Sequence, residues 1–236
     1  EAQETYTARY TNETIALAFA ITEEAIEDNL YDRLASRYTK ALARSMSNAK
    51  EVKGAQPLNN GLPGVATFNS GDGVSLFNTA HTTISGTNVS NTLTTQADLN
   101  ETSLEAALID IAAFTDERGL RIAAKGVKMI IPSANQFNAE RLMKSQGRPG
   151  TADNDINAIN SMGMIPQGYR VNNFLTDADS WYIITDVPNG MKMFQRTPLT
   201  TSMEGDFDTG NVRYKARERY VFGVSDYRGI FGCEGA

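Results

Sequence analysis

Residues Thr22–Lys53 read TEEAIEDNLYDRLASRYTKALARSMSNAKEVK, with no proline and no glycine. Large apolar residues recur at Ile26, Leu30, Leu34, Tyr38, Leu42 and Met46, followed by Ala49 and Val52. Steps of four place side chains on one side of a helix and on no single face of a strand. Thr22 is an N-cap candidate, with Glu23, Glu24, Glu27 and Asp28 in the first turns. Arg37, Lys40, Arg44, Lys50 and Lys53 follow, and Gly54 is the expected stop. Acid first and base last suits the helix dipole. Such a helix is about 45 Å long at about 1.5 Å per residue. Each four-residue step turns the stripe by about 40°, so the stripe spirals where a heptad seam would stay in place. Two readings follow: one long core helix, or a spine that touches several elements in turn, some in other subunits.

Before the helix, Tyr6, Ala8 and Tyr10 alternate with polar neighbours, then Ile15, Leu17, Phe19 and Ile21 after a break at Asn12-Glu13. Period two predicts two strands and a hairpin arm over residues 1–21. A two-stranded ribbon is marginal in water, so the arm is expected to lie on its own domain or on a neighbour. After the helix, Leu62–Asn100 is rich in Gly, Asn, Ser and Thr, with short apolar islands. It predicts a long irregular connection with short strands.

Thr102–Glu105 and Ser133–Gln136 both read as capping boxes. The first opens a helix expected to end at Gly119, and the second opens one reaching about Ser145. Val127–Ile131 is an apolar run, broken only by Lys128 and closed by Pro132, the pattern of a buried strand. Tyr169–Asn173 and Trp181–Thr185 predict two more strands. Together these parts predict an α+β domain inserted after the long helix. From Gly190 the pattern changes again. Met191, Met193, Gln195, Thr197 and Leu199 alternate, a turn holds Glu204, Asp206 and Asp208, and a second strand follows. On that strand Val212, Tyr214, Ala216 and Tyr220 share one face, and Arg213, Lys215, Arg217 and Arg219 the other.

The order of parts, hairpin arm, long helix, α+β insert, long hairpin and terminal strand, resembles the major capsid protein of tailed bacteriophages, with the fold named after phage Hong Kong 97. The strings Ala25-Ile26-Glu27-Asp28-Asn29-Leu30-Tyr31, Leu76-Phe77-Asn78-Thr79-Ala80-His81 and Ser225-Asp226-Tyr227-Arg228-Gly229 look like segments of phage head subunits. The resemblance spans nearly the whole chain. It implies an α+β capsid fold in three parts. Residues 1–21 form the extended loop, residues 22–61 and 190–222 the peripheral domain, and residues 62–189 and 223–236 the axial domain. It also implies self-assembly into hexamers and pentamers of an icosahedral shell around double-stranded DNA, with assembly in the host cytoplasm and residence in the virion. Portal, scaffold and cement proteins are the further partners it implies. An encapsulin, a cellular shell of related fold that encloses protein, is the alternative within the class. A soluble α+β binding protein or hydrolase is the alternative outside it.

Composition fits a globular chain: 236 residues, 41% hydrophobic and 21% charged, with net charge −6. That charge writes no bulk nucleic-acid affinity into the molecule. No apolar run is long enough to span a membrane. The first residue is Glu1, not Met, so an N-terminal piece removed by cleavage or lying outside the sequence is expected. The lone Cys233 cannot form an internal disulfide, which fits a reducing compartment.

No catalytic constellation is legible. His81 is the single histidine, so a His-paired metal site is out of reach. Cys233 has no basic neighbour in sequence to activate it. Asp153-Asn154-Asp155 starts like a calcium loop, but Ala158 and Met164 stand where glycine and a bidentate Glu are needed. No cofactor and no enzymatic activity are expected. The candidate contact residues between copies are Tyr6, Tyr10, Ile15, Leu17 and Phe19 on the arm, Glu204, Asp206 and Asp208 on the turn, and Arg213, Lys215, Arg217 and Arg219 on the strand. A second basic row, Arg33, Arg37, Lys40 and Arg44, lies on one helix face. Like charges in a row repel, so each row is expected to meet carboxylates of a neighbour, packaged DNA, or only solvent. The favoured arrangement sets one copy's acidic turn on the next copy's basic strand.

Overall fold

A computed structural model describes residues 6–28, 31–62, 68–148 and 155–236, and describes no side chains for residues 31–34. Leu30, the Leu34 and Arg33 side chains, and the start of the calcium-like loop lie outside the described residues. The chain forms two compact units. The first comprises Glu1–Arg9, Ala55–Lys192 and Gly223–Ala236, the second Tyr10–Gly54 and Met193–Phe222.

In the second unit, β1 (Glu13–Ile21) leads to a short helix α1 (Glu23–Glu27) and then to α2 (Tyr31–Asn59). Thr22 caps α1, its side chain accepting from the Ala25 N–H. The expected stripe holds only in part: the helix is interrupted after Glu27, and Tyr38 and Val52 are 47% and 41% exposed. Leu42 and Met46 are buried with Ala216, and Ile15 and Phe19 pack against them. Gly54 does not stop the helix. It continues through Pro57 to Asn59, because Ala55 and Leu58 are buried. Burial of that last stretch outweighs the modest helix penalty of one glycine.

Among the described residues the expected two-stranded arm is not formed. Residues 6–12 carry no strand, and β1 pairs antiparallel with β8 (Val212–Val224), from Glu13 opposite Tyr220 to Ile21 opposite Val212. With β7 (Met191–Gly205) the sheet runs β1-β8-β7. A strand with one apolar face pairs where that face is covered, and here α2 supplies the cover within the same chain.

On β8 the alternation is as expected, with one departure. Ala216, Glu218 and Tyr220 are buried, while Arg213, Lys215 and Arg217 are exposed. Glu218 therefore sits on the apolar face, where Lys50 of α2 donates to it at 3.1 Å. The Lys50 ammonium also lies 5.0 Å from the Tyr220 ring centre. Burial first, then the Glu218 and Glu13 carboxylates, push the Tyr220 hydroxyl up to about 12. A tyrosine whose folded pKa exceeds its unfolded value stabilises the fold below the unfolded pKa. The contribution fades as pH rises through the folded value. The urea midpoint should thus fall between about pH 10 and about pH 12, and fall less in Tyr220→Phe. Equal slopes for the two proteins would contradict this account.

The first unit is built on a four-stranded sheet, β5-β4-β6-β9, from β4 (Gly126–Ile131), β5 (Tyr169–Val171), β6 (Trp181–Thr185) and β9 (Ile230–Cys233). β4 pairs parallel with β5 and antiparallel with β6, an interior position that suits its mostly apolar sequence. The helix α3 (Glu101–Ala112) lays Leu104, Ala107, Leu108 and Ile111 into the core. Its capping box is Asn100 with Ser103, two residues ahead of the expected one, and the helix ends before Gly119. Ser133–Asn135 forms a one-turn 3₁₀ helix with no side-chain cap, ahead of α4 (Gln136–Lys144). Asn157, from the segment that resembles a calcium loop, instead caps α5 (Ala158–Met162). Among its described residues, the irregular connection holds the short pair β2 (His81–Thr82) and β3 (Asn88–Val89) and a single bridge between Asn69 and Ser75.

That connection is anchored by polar groups. Asn91 is fully buried and donates to the carbonyls of Leu76 (2.8 Å), Tyr227 (3.1 Å) and Ile230 (3.3 Å). Its oxygen accepts from the Asn78 N–H at 2.9 Å. His81, also fully buried, stacks on Tyr227 with ring centres 3.9 Å apart. Its Nδ1 lies 2.5 Å from Asp72 Oδ2. On Tyr227 also lies the Arg228 guanidinium, 4.6 Å from the ring centre, paired with Glu117 at 2.7 Å. Gly190 and Gly229 meet backbone to backbone. A Cβ on Gly229 would fall 2.2 Å from the Gly190 Cα, so neither position has room for a side chain.

Candidate assembly surfaces

The expected arm residues separate into covered and open ones. Tyr6 packs against the core of the first unit, its ring filling the space over Gly71. Burial and then the Asp226 carboxylate raise its hydroxyl pKa well above the usual tyrosine range. Tyr10 stands 4.8 Å from the Phe194 ring. Phe19 stacks on Tyr214 at 5.0 Å, and Tyr38 stands 5.5 Å away. Of the five, Leu17 stays most open, at 45% exposure. Most of this apolar surface therefore has partners inside the chain.

The acidic turn is also partly engaged. Asp206 pairs with Arg213 of its own hairpin at 2.5 Å and accepts from the Thr209 hydroxyl. That internal pair removes one acid and one base from the arrangement expected between copies. Glu204 and Asp208 stay exposed, as do Lys215 and Arg217. Arg219 is half-buried, and its Nε is buried without a partner. On α2, Arg37, Lys40 and Arg44 are exposed, on the side away from Leu42 and Met46.

Two further features escaped the sequence reading. Glu218 could have been found by parity, since it shares the face of Ala216 and Tyr220. Phe207, in the acidic turn, is 100% exposed, and Met203 beside it on β7 is 63% exposed.

The first unit contains a cleft of about 350 Å³ lined by Asp116, Glu117, Asp186, Asp226 and Arg228, with apolar neighbours. Its carboxylates are occupied by the chain itself. Asp116 accepts from the Arg118 and Leu120 N–H groups, and Asp186 from the Lys125 N–H. Asp226 accepts from the Arg228 N–H, and Glu117 from its side chain. These are turn and loop fastenings. Among the described residues no three His, Cys, Asp or Glu side chains are grouped to hold a metal. The Cys233 thiol is buried, and burial raises its pKa, the reverse of an activated nucleophile. No described helix is long and apolar enough to cross a membrane.

Surfaces of this kind, exposed charged rows and an exposed aromatic on an acidic turn, suit contact between proteins. Comparison with known proteins agrees. No curated protein matches the sequence. Among solved structures, the chain is similar to the capsid of Myoviridae phage XM1, at 14% identity, 95% coverage of this chain, 74% of that chain and a TM-score of 0.57. It is similar to the capsid of an empty GTA particle, at 14% identity, 94% and 72% coverage and a TM-score of 0.54. It is also similar to the virus-like particle from Pyrococcus furiosus, at 13% identity, 94% and 75% coverage and a TM-score of 0.52. At such identities the likeness concerns the mixed α+β fold. The family is given by a model for phage capsid proteins, a structural rather than a catalytic family, which matches residues 5–232. By that match across nearly its whole length, the chain belongs to the phage capsid protein family.

Proposed function

We propose that this chain is the major shell subunit of a tailed phage, assembling into hexamers and pentamers of an icosahedral capsid around double-stranded DNA. The observation that carries the reading is the family match over residues 5–232. In this reading the unit containing β4–β6 and β9 is the axial domain. The unit containing β1, the larger part of α2 and the β7–β8 hairpin is the peripheral domain. Leu17, Glu204, Asp208, Lys215, Arg217 and the α2 row Arg37, Lys40 and Arg44 face neighbouring copies. The contacts are heterologous, since unlike surfaces meet around each symmetry axis. Assembly takes place in the host cytoplasm, and portal, scaffold and cement proteins are further partners.

A second reading is a cellular shell around protein cargo; the virus-like particle from Pyrococcus furiosus shares the fold. Nuclease treatment of purified particles separates the two. Double-stranded DNA that survives until the shell is opened supports the capsid. Particles that protect no DNA and carry a second protein inside support the compartment.

A further inference from the structure

The turn between β7 and β8 is organised to present one aromatic side chain. Asp206 N–H donates to the Asn211 carbonyl at 2.8 Å, and Gly210 N–H to the Asp206 carbonyl at 2.9 Å. The Asp206 carboxylate is held by Thr209 and Arg213. The Glu23 carboxylate fills the space where a Cβ on Gly210 would stand. A turn fastened at this many points loses little freedom on binding, so what it carries is preorganised. It carries Phe207, with 100% of its surface in water, flanked by the exposed carboxylates Glu204 and Asp208. Leaving a phenylalanine fully hydrated forgoes the gain of burying it. A hydrophobic group at the summit of a fastened turn, ringed by charge, has the anatomy of an interface anchor.

The same unit contains a matching surface. Arg37, Lys40 and Arg44 are exposed along one face of α2, and among the described residues they make no ion pair. Two guanidinium groups and an ammonium suit an aromatic face between two carboxylates, by cation–π contact and by ion pairing. We infer that the β7–β8 turn of one copy docks on the outward face of α2 of a second copy, with Phe207 against Arg37 and Arg44. Glu204 and Asp208 then meet the cations that flank it. This inference rests on the shell-forming reading, and it names a contact that reading leaves open. Each copy offers one turn and one helix face, so the contact is head-to-tail and joins copies in series.

The test uses shells of the full chain carrying Gly205→Cys with Ala41→Cys, which keeps Phe207, since Gly205 is exposed with open space around an added Cβ, Ala41 is exposed on the side of α2 that carries the row, and Cys233 is buried. Treatment with a short bis-maleimide should give a ladder of covalent multimers, absent from either single variant. Intact shells that give only monomer overturn the inference. Independently, Phe207→Ser should raise the concentration needed for shell formation by about ten-fold or more, with an unchanged circular dichroism spectrum. Shells that form at the wild-type concentration overturn the inference while leaving the shell-forming reading intact. If the wild type forms no shell, that reading fails and the inference with it. A third arm reverses Arg37 and Arg44 to Glu. Loss of empty shells supports contact between copies. Normal empty shells that package less DNA mean that the α2 face meets nucleic acid, and the inference falls.

Discussion

Asn91→Ala should cost the first unit roughly 4 kcal/mol, a large share of the stability of an ordinary domain. Its amide donates to three backbone carbonyls and its oxygen accepts a backbone N–H, all in a site closed to water. Truncation takes the acceptor from the Asn78 N–H and a donor from each carbonyl, although the Tyr227 carbonyl keeps the Ile230 N–H and His81 Nε2 stays 3.2 Å from the Leu76 carbonyl; the unpaired N–H costs more than its hydrogen bond gained. His81 loses a neighbour too, because its Nε2 lies 3.2 Å from the Asn91 oxygen. The loop from Phe68 to Leu93 should come loose from the last strand. Urea unfolding and hydrogen exchange over residues 76–92 would measure both effects. A variant with a wild-type midpoint and unchanged protection there would show that Asn91 is no anchor.

Deletion of residues 12–20 should leave the second unit unfolded, with insoluble protein. β1 is one of three strands in the sheet, and its Ile15 and Phe19 cover Leu42, Met46 and Ala216. Exposing that cluster removes about 4 kcal/mol or more of apolar burial, besides a strand's worth of ladder hydrogen bonds. An arm that merely reached across to another subunit would predict the opposite result, a soluble folded monomer unable to assemble. Circular dichroism and size-exclusion chromatography of the deletion separate the two. A compact monomer would return β1 to the role of a detachable arm.

The contrast between α2 and β1 explains what the sequence could reveal. Helical periodicity is local, so the stripe through Leu42 and Met46 is visible without knowing what covers it. Strand alternation is local as well, which is why Lys215 and Arg217 were placed correctly on the open face of β8. Strand partners are not local. Glu13 pairs with Tyr220, and nothing near Glu13 says so. The end of α2 lies beyond Gly54 for the same reason. Gly54 argues for a stop, while the burial of Ala55 and Leu58 that overrides it is a tertiary fact. The cap of α3 lies two residues ahead of the expected one because Asn100 and Thr102 both suit the N-cap position. Asn91 gave no signal at all, since two of the carbonyls it serves lie 136 and 139 residues away. On the surface, the charged rows were legible from their spacing. Phe207 was passed over because a single aromatic residue in a polar turn carries no periodicity.

The central claim is that many copies of this chain close into a shell. Electron microscopy of the chain expressed alone and purified by sedimentation tests it most directly. The account predicts hollow particles of uniform diameter whose walls are one subunit thick, with symmetry axes that relate identical copies. A homogeneous population of monomers or dimers, at concentrations where phage head subunits assemble, would contradict it.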